Sequence, residues 1–147
     1  MSEPTHVYQI YINADPATVW QAIVDGEQTR RYFYGTRVES TWAPDAEIRY
    51  LGADGSVVAD GKVIAVEPSR LLEITFQAHW DPELEAEGPA REVWLLEDVN
   101  GATKLTVEMH DVAPGSKTYE DFTGGFPYIL SGLKTFVETG ESLPSPH

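Results

Sequence analysis

The residue in this chain whose type and place could do chemistry is Glu92, in the run Arg91-Glu92-Val93-Trp94-Leu95-Leu96. Read as a strand, the run alternates, and the face that carries Trp94 and Leu96 also carries Glu92. A carboxylate on an inward face can accept a hydrogen bond from a ligand hydroxyl or amine. It can also act as a general base where desolvation raises its pKa. The plainer reading, and the one the sequence favours, puts Glu92 at the open end of its strand, wet or paired with Arg91 or another basic residue.

The other reactive residue types form no constellation. His6, His79, His110 and His147 fall into no HxH, HxxxH or HExxH spacing, so no metal site is expected. His79 and His110 alternate with the inward residues and are expected to face solvent. Cysteine is absent, which removes thiolate nucleophiles, disulfides and cysteine-ligated metals and suits a reducing cytoplasm. Gly124-Gly125 and Gly52-Ala53-Asp54-Gly55 lack the strand and basic residue of a phosphate cradle. Lys134 is expected at the surface beside an apolar stripe. No cofactor is implied. Among 147 residues, 24 acidic against 10 basic side chains give a net charge of −14, which opposes binding to nucleic acid and to anionic lipid surfaces. No segment approaches the roughly 20 apolar residues of a membrane span, and the N-terminus does not read as a secretory leader, so a cytoplasmic protein is expected.

These residues are held by a simple order of elements. His6 to Asn13 reads as a strand with Tyr8, Ile10 and Ile12 on one face. Asp15 as N-cap, Pro16 in the first turn and a stripe of Val19, Trp20, Ile23 and Val24 predict a helix. A short second helix is predicted over Glu27 to Phe33. From Arg37 to Val112 a run of antiparallel strands is punctuated by turn signals. The strongest of these is Asn100-Gly101, where both residues tolerate the positive φ of a tight hairpin. Asp81 to Pro89 reads as an acidic loop. A long helix is predicted from near Thr123 to Glu138, capped by Gly140, followed by a frayed tail over 141–147. The chain is therefore expected to be one α+β domain: a strongly curved antiparallel sheet of six or seven strands around a C-terminal helix, with two short helices after the first strand.

Three segments carry a resemblance that spans most of the chain: ADPATVWQAIVDGEQTRRYF, DGSVVADGKVIAVEPSRLLEITF and GGFPYILSGLKTFVETGE. Together they resemble the START-like helix-grip (SRPBCC) superfamily, which includes the birch-pollen-allergen fold and the polyketide cyclases. Within it they resemble the branch related to the C-terminal domain of the heat-shock-protein-ninety ATPase activator. The family commonly has Gly-Trp where this chain has Gly125-Phe126, and Trp-Phe where it has Tyr32-Phe33. These residues are structural, so they imply the fold without a reaction.

The resemblance implies a cavity between sheet and final helix. On this sequence its lining would be Phe126, Ile129, Leu130, Leu133 and Phe136 from the helix. Trp94, Leu96, Leu105, Val107, Met109, Phe76 and Trp80 would face them from the strands, with Glu92 among them. The expected function is binding of a small apolar or aromatic ligand there. The alternatives are a protein-interaction module that stimulates a chaperone ATPase, as the branch implies, and a cyclase or hydrolase in the same cavity. The chaperone activator's N-terminal portion is expected to have no counterpart here. An acid–base pair for the enzymatic reading is not found beyond Glu92 and nearby tyrosines.

Overall fold

The computed structural model describes residues 4–144. Strand β1 (His6–Ile12) leads through the Asp15 N-cap into α1 (Pro16–Val24). The Asp15 carboxylate accepts from the Thr18 N–H at 2.8 Å, and Val19, Trp20, Ala22 and Ile23 are buried. Helix α2 is shorter than the sequence suggests, covering only Gly26–Thr29. The Thr29 hydroxyl accepts from the Val38 N–H at 3.1 Å and bonds the Thr36 carbonyl at 3.0 Å, tying the chain to the next strand.

The sheet follows as β2 (Arg37–Glu39), β3 (Glu47–Leu51), β4 (Val57–Glu67), β5 (Leu71–Ala78), β6 (Ala90–Val99) and β7 (Ala102–His110). All neighbours are antiparallel, in the order β1-β7-β6-β5-β4-β3-β2, so the seven-stranded sheet is a meander with β1 added beside β7. The β6–β7 hairpin turns at Asn100 and Gly101, with φ of 55° and 92°, and Val99 pairs with Ala102. Gly61 in β4 is pressed against β5: a Cβ there would lie 1.8 Å from the Thr75 carbonyl oxygen. A β-bulge follows between Val63 and Ala65.

Two expectations are corrected. The acidic segment after β5 is not a loop but α3 (Pro82–Glu87). Asp81 accepts from the Glu83 N–H, Pro82 opens the helix, and Leu84 is buried beneath it. The final helix, α4 (Lys117–Thr139), begins six residues before Thr123. Gly124, Gly125 and Pro127 lie inside it and make its middle a poor helix former. Its first turn is held from outside the helix. Ser116 caps Tyr119, and the Glu87 carboxylate of α3 accepts from the Lys117 and Thr118 N–H groups at 3.0 and 2.8 Å. Gly140 closes it in the left-handed conformation. Of the expected tail, Ser142 receives a hydrogen bond from Arg31 Nε at 3.0 Å, and 145–147 lie outside the described residues.

Helix α4 buries Phe122, Phe126, Ile129, Leu130 and Leu133. They join the inward residues of the sheet and α1 in one apolar core. No helix among the described residues is long and apolar enough to cross a membrane.

Candidate functional site

Between the N-terminal half of α4 and the β3–β5 side of the sheet lies a cavity of about 540 Å³. Its walls are mostly aromatic. Helix α4 supplies Phe122, Phe126 and Ile129, and the α2–β2 connection supplies Phe33 and Tyr34. The sheet supplies Tyr50, Val58, Ala59 and Phe76. The rings brace one another: Phe33 stacks on Tyr50 at 5.2 Å, Tyr50 meets Phe76 at 5.2 Å, and Phe76 packs edge-on against Phe122 at 5.6 Å. Such contacts add to simple area burial and hold the wall in shape. Gly125 faces Tyr34: a Cβ there would meet the Tyr34 hydroxyl at 3.4 Å, an ordinary van der Waals contact. The lining residues that carry polar side-chain atoms are few, namely Tyr34, Thr36, Tyr50, Trp80 and Asp121.

Four expected lining residues, Phe76, Trp80, Phe126 and Ile129, stand on this cavity. Trp80 does so from the rim rather than the interior. It is 54% exposed, because β5 ends at Ala78 and strand alternation stops before it. Its indole N–H points to Asp121 of α4 at 3.4 Å, while Tyr34, 50% exposed, stands elsewhere on the lining.

The other expected lining residues are not on the cavity. Leu96, Leu105, Val107, Met109, Leu130 and Leu133 are buried in the packed core. Phe136 is half-buried beneath the Arg31 guanidinium, which lies 5.0 Å from the ring centre. Trp94 packs on Phe126 at 6.0 Å and lines a narrow crevice behind the wall, shared with Tyr32 and Tyr50. The period of a helix or strand selects the inward face but not where along it the layers part. The residues missed, above all Tyr50, Ala59 and Phe122, had a usable signal. Tyr50 and Ala59 pair across β3 and β4 and face inward by alternation. Phe122 is one helical turn before Phe126 and lies outside a helix predicted to begin at Thr123.

Glu92 overturns the plainer reading of it. It is 2% exposed, flanked across the sheet by Ile74 and Met109. Arg91 cannot pair with it, because alternation sends the guanidinium to the other face, where it bonds Glu73 at 2.8 Å and Asp111 at 3.1 Å. Glu92 Oε1 accepts from the Trp94 indole N–H at 3.0 Å, and Oε2 is buried with no hydrogen-bond partner. Burial pushes its pKa up to about 7, against the opposing pull of the Trp94 bond. The tyrosines facing it respond: burial, then the Glu92 charge, holds Tyr50 well above its ordinary range. Tyr8, whose hydroxyl donates to the Phe122 carbonyl, is pushed up to about 12 by burial, then by Tyr119 and Glu92.

The histidines also depart from expectation. His110 is buried, its Nε2 2.9 Å from Glu108 Oε1, and the next residue, Asp111, adopts a positive φ. His79 is partly buried between two carboxylates, Glu85 of α3 at 2.8 Å and Asp60 of β4 at 2.9 Å. The hydrogen bond to Glu85, then that to Asp60, raises its pKa, as expected of a ring that gives one N–H to each. Among the described residues no group of three His, Cys, Asp or Glu side chains is arranged to hold a metal ion, and His147 lies outside them. Lys134 is at the surface, bonding the Tyr11 carbonyl and Glu138.

With this geometry in hand, comparison with known proteins gives a consistent result. The family described as "Activator of Hsp90 ATPase homolog 1-like protein" matches residues 13–138. No curated protein matches the chain. The fold is similar to the solution structure of the Aha1 dimer from Colwellia psychrerythraea, with TM-score 0.74 and 18% identity over 92% of this chain and 97% of that one. It is also similar to protein MLL2253 from Mesorhizobium loti, with TM-score 0.73 and 20% identity over 90% and 96%. DynU16, a protein of the dynemicin biosynthetic locus, gives TM-score 0.72 and 23% identity over 92% of this chain and 48% of that one. At these identities the likeness carries the helix-grip fold and no activity.

Proposed function

Because the chain belongs to the family of activator of Hsp90 ATPase homolog 1-like proteins, whose fold leaves the activity open, we propose from the cavity itself that it binds a small, largely apolar or aromatic molecule between α4 and the sheet. One observation carries the reading: a space of about 540 Å³ walled by braced aromatic rings with few polar groups. The volume falls in the roughly 300–1,000 Å³ range of ligand pockets. Enclosing about 200 Å² of ligand apolar surface at roughly 25 cal/mol per Å² yields about 5 kcal/mol before association costs, so micromolar affinity needs a larger ligand or a polar anchor.

The test is bulk placed on the wall. Ile129 faces the cavity from the middle of α4. Ile129→Trp should fill the space, weakening binding of 2-methylnaphthalene at least tenfold while the melting temperature stays equal or rises. If the parent protein binds no such probe and the substitution lowers the melting temperature, the reading is wrong.

Family membership favours a second reading, in which the chain stimulates a chaperone ATPase. Under the ligand-binding reading, little stimulation of the host's own heat-shock-protein-ninety homologue is expected. A several-fold rise in its ATP hydrolysis at stoichiometric ratios, unchanged by Ile129→Trp, would make the interaction reading the better one.

A further inference from the structure

We propose that the ligand is an apolar aromatic molecule bearing a hydrogen-bond donor, a hydroxyl or an amino group, and that Glu92 Oε2 receives it. This rests on the cavity reading above and adds a polar anchor behind the cavity wall.

The surroundings of Glu92 suit an apolar side chain. Its strand neighbours on the same face are Ala90, Trp94 and Leu96, and its cross-strand partners are Ile74 and Met109. A leucine would suit such a place better, because a buried carboxylate with a free oxygen is costly. One oxygen is accounted for by Trp94 and the other by nothing in the protein. Arg91 points to the opposite face and Lys134 is at the surface, so neither neutralises it.

Its location ties it to the cavity. Phe126 forms part of the cavity wall and lies on Trp94, the residue that holds Glu92 Oε1. Tyr50, whose ionisation the Glu92 charge opposes, borders both the cavity and the crevice behind it. Glu92 itself is not on the lining and its Oε2 is fully buried, so a ligand donor reaches it only where the Phe126 ring gives way. The helix is weakest at that point. Gly124 and Gly125 precede Phe126, and Pro127 has no N–H to give the Thr123 carbonyl, so the Phe126 ring sits on a segment able to yield to a ligand.

A matched pair of probes tests this, 2-naphthol and 2-methylnaphthalene, which differ by a hydroxyl in place of a methyl group. Affinities for both are measured at mildly alkaline pH on the parent protein, Glu92→Leu and Glu92→Gln, with melting temperatures to confirm folding. The readout is the ratio of the two affinities, which cancels changes in cavity shape. A hydrogen bond to a charged acceptor predicts that the preference for 2-naphthol falls about tenfold or more in Glu92→Leu and by less in Glu92→Gln. Binding of 2-methylnaphthalene is kept in both. A ratio that Glu92→Leu leaves unchanged, with both probes bound, overturns the assignment of Glu92 and spares the cavity. Failure of the parent protein to bind either probe overturns both.

Discussion

A carboxyl raised to about 7 by burial makes folding depend on pH in a direction opposite to that of an ordinary salt-bridged acid. Below its ordinary value of 4.5, Glu92 is protonated in folded and unfolded chains alike and carries no cost of burying a charge. Above about 7 it is ionised in both, and the folded chain bears the whole cost of desolvation. Stability from this group therefore falls as pH rises between those values, by on the order of 3 kcal/mol. Tyr8 and Tyr50, the other titratable groups that feel Glu92, are pushed upward and stay neutral throughout the window. The expected outcome is that Glu92→Gln gains stability relative to the parent as pH is raised from about 5 to about 8. Chemical denaturation of both proteins at the two pH values checks it, and parallel pH profiles would contradict a buried ionisable Glu92.

Among the elements, β4 and α4 decide where the cavity opens. Gly61 lets β4 lie against the Thr75 carbonyl, and the Thr75 hydroxyl accepts from the Lys62 N–H at 2.9 Å. This close approach lies two residues along β4 from Ala59 and next to Phe76 of β5, both of them cavity walls. An alanine Cβ would clash with backbone that has no rotamer to move. Gly61→Ala is thus expected to cost about 3 kcal/mol or more, or to prevent folding, whereas Gly124→Ala, with open space at its Cβ, is expected to be stabilising by a few tenths to about 1 kcal/mol. Thermal melts of the two variants separate the roles of the glycines. Helix α4 depends on a different kind of support, since a carboxylate from α3 caps its first turn.

For the molecule as a whole, layers that meet at one end and part at the other give a packed half and an open half. Leu133 belongs to the packed half, fully buried and away from the cavity, although the helical period alone would set it beside a ligand. Leu133→Trp is therefore expected to overpack the core, costing about 1–3 kcal/mol and lowering the melting temperature by several degrees. Ile129→Trp, one helical turn away on the cavity, should not. Probe binding by folded Leu133→Trp should persist. Equal stability at both sites would mean that the space extends along the whole helix.

What could be read without coordinates follows from local rules. The Asp15-Pro16 helix start, the Asn100-Gly101 hairpin and the inward alternation of β6 and β7 are each set by a few adjacent residues, and each is found in the structure. The order of elements and the inward face of Glu92 are legible for the same reason, whereas the helix-grip fold is legible through the family resemblance that three segments carry. Local rules failed where a distant group decided the matter. Glu87 and Ser116 start α4 before a glycine pair that by itself reads as a helix entry, and buried Leu84 anchors a helix in an acidic stretch that reads as a loop. The burial of Glu92 and the limits of the cavity belong to the same class. Periodicity says which side of an element faces inward, but how deep a side chain lies and where sheet and helix separate depend on the curvature of the sheet and the line of α4 across it. Those are fixed only when every layer is packed together.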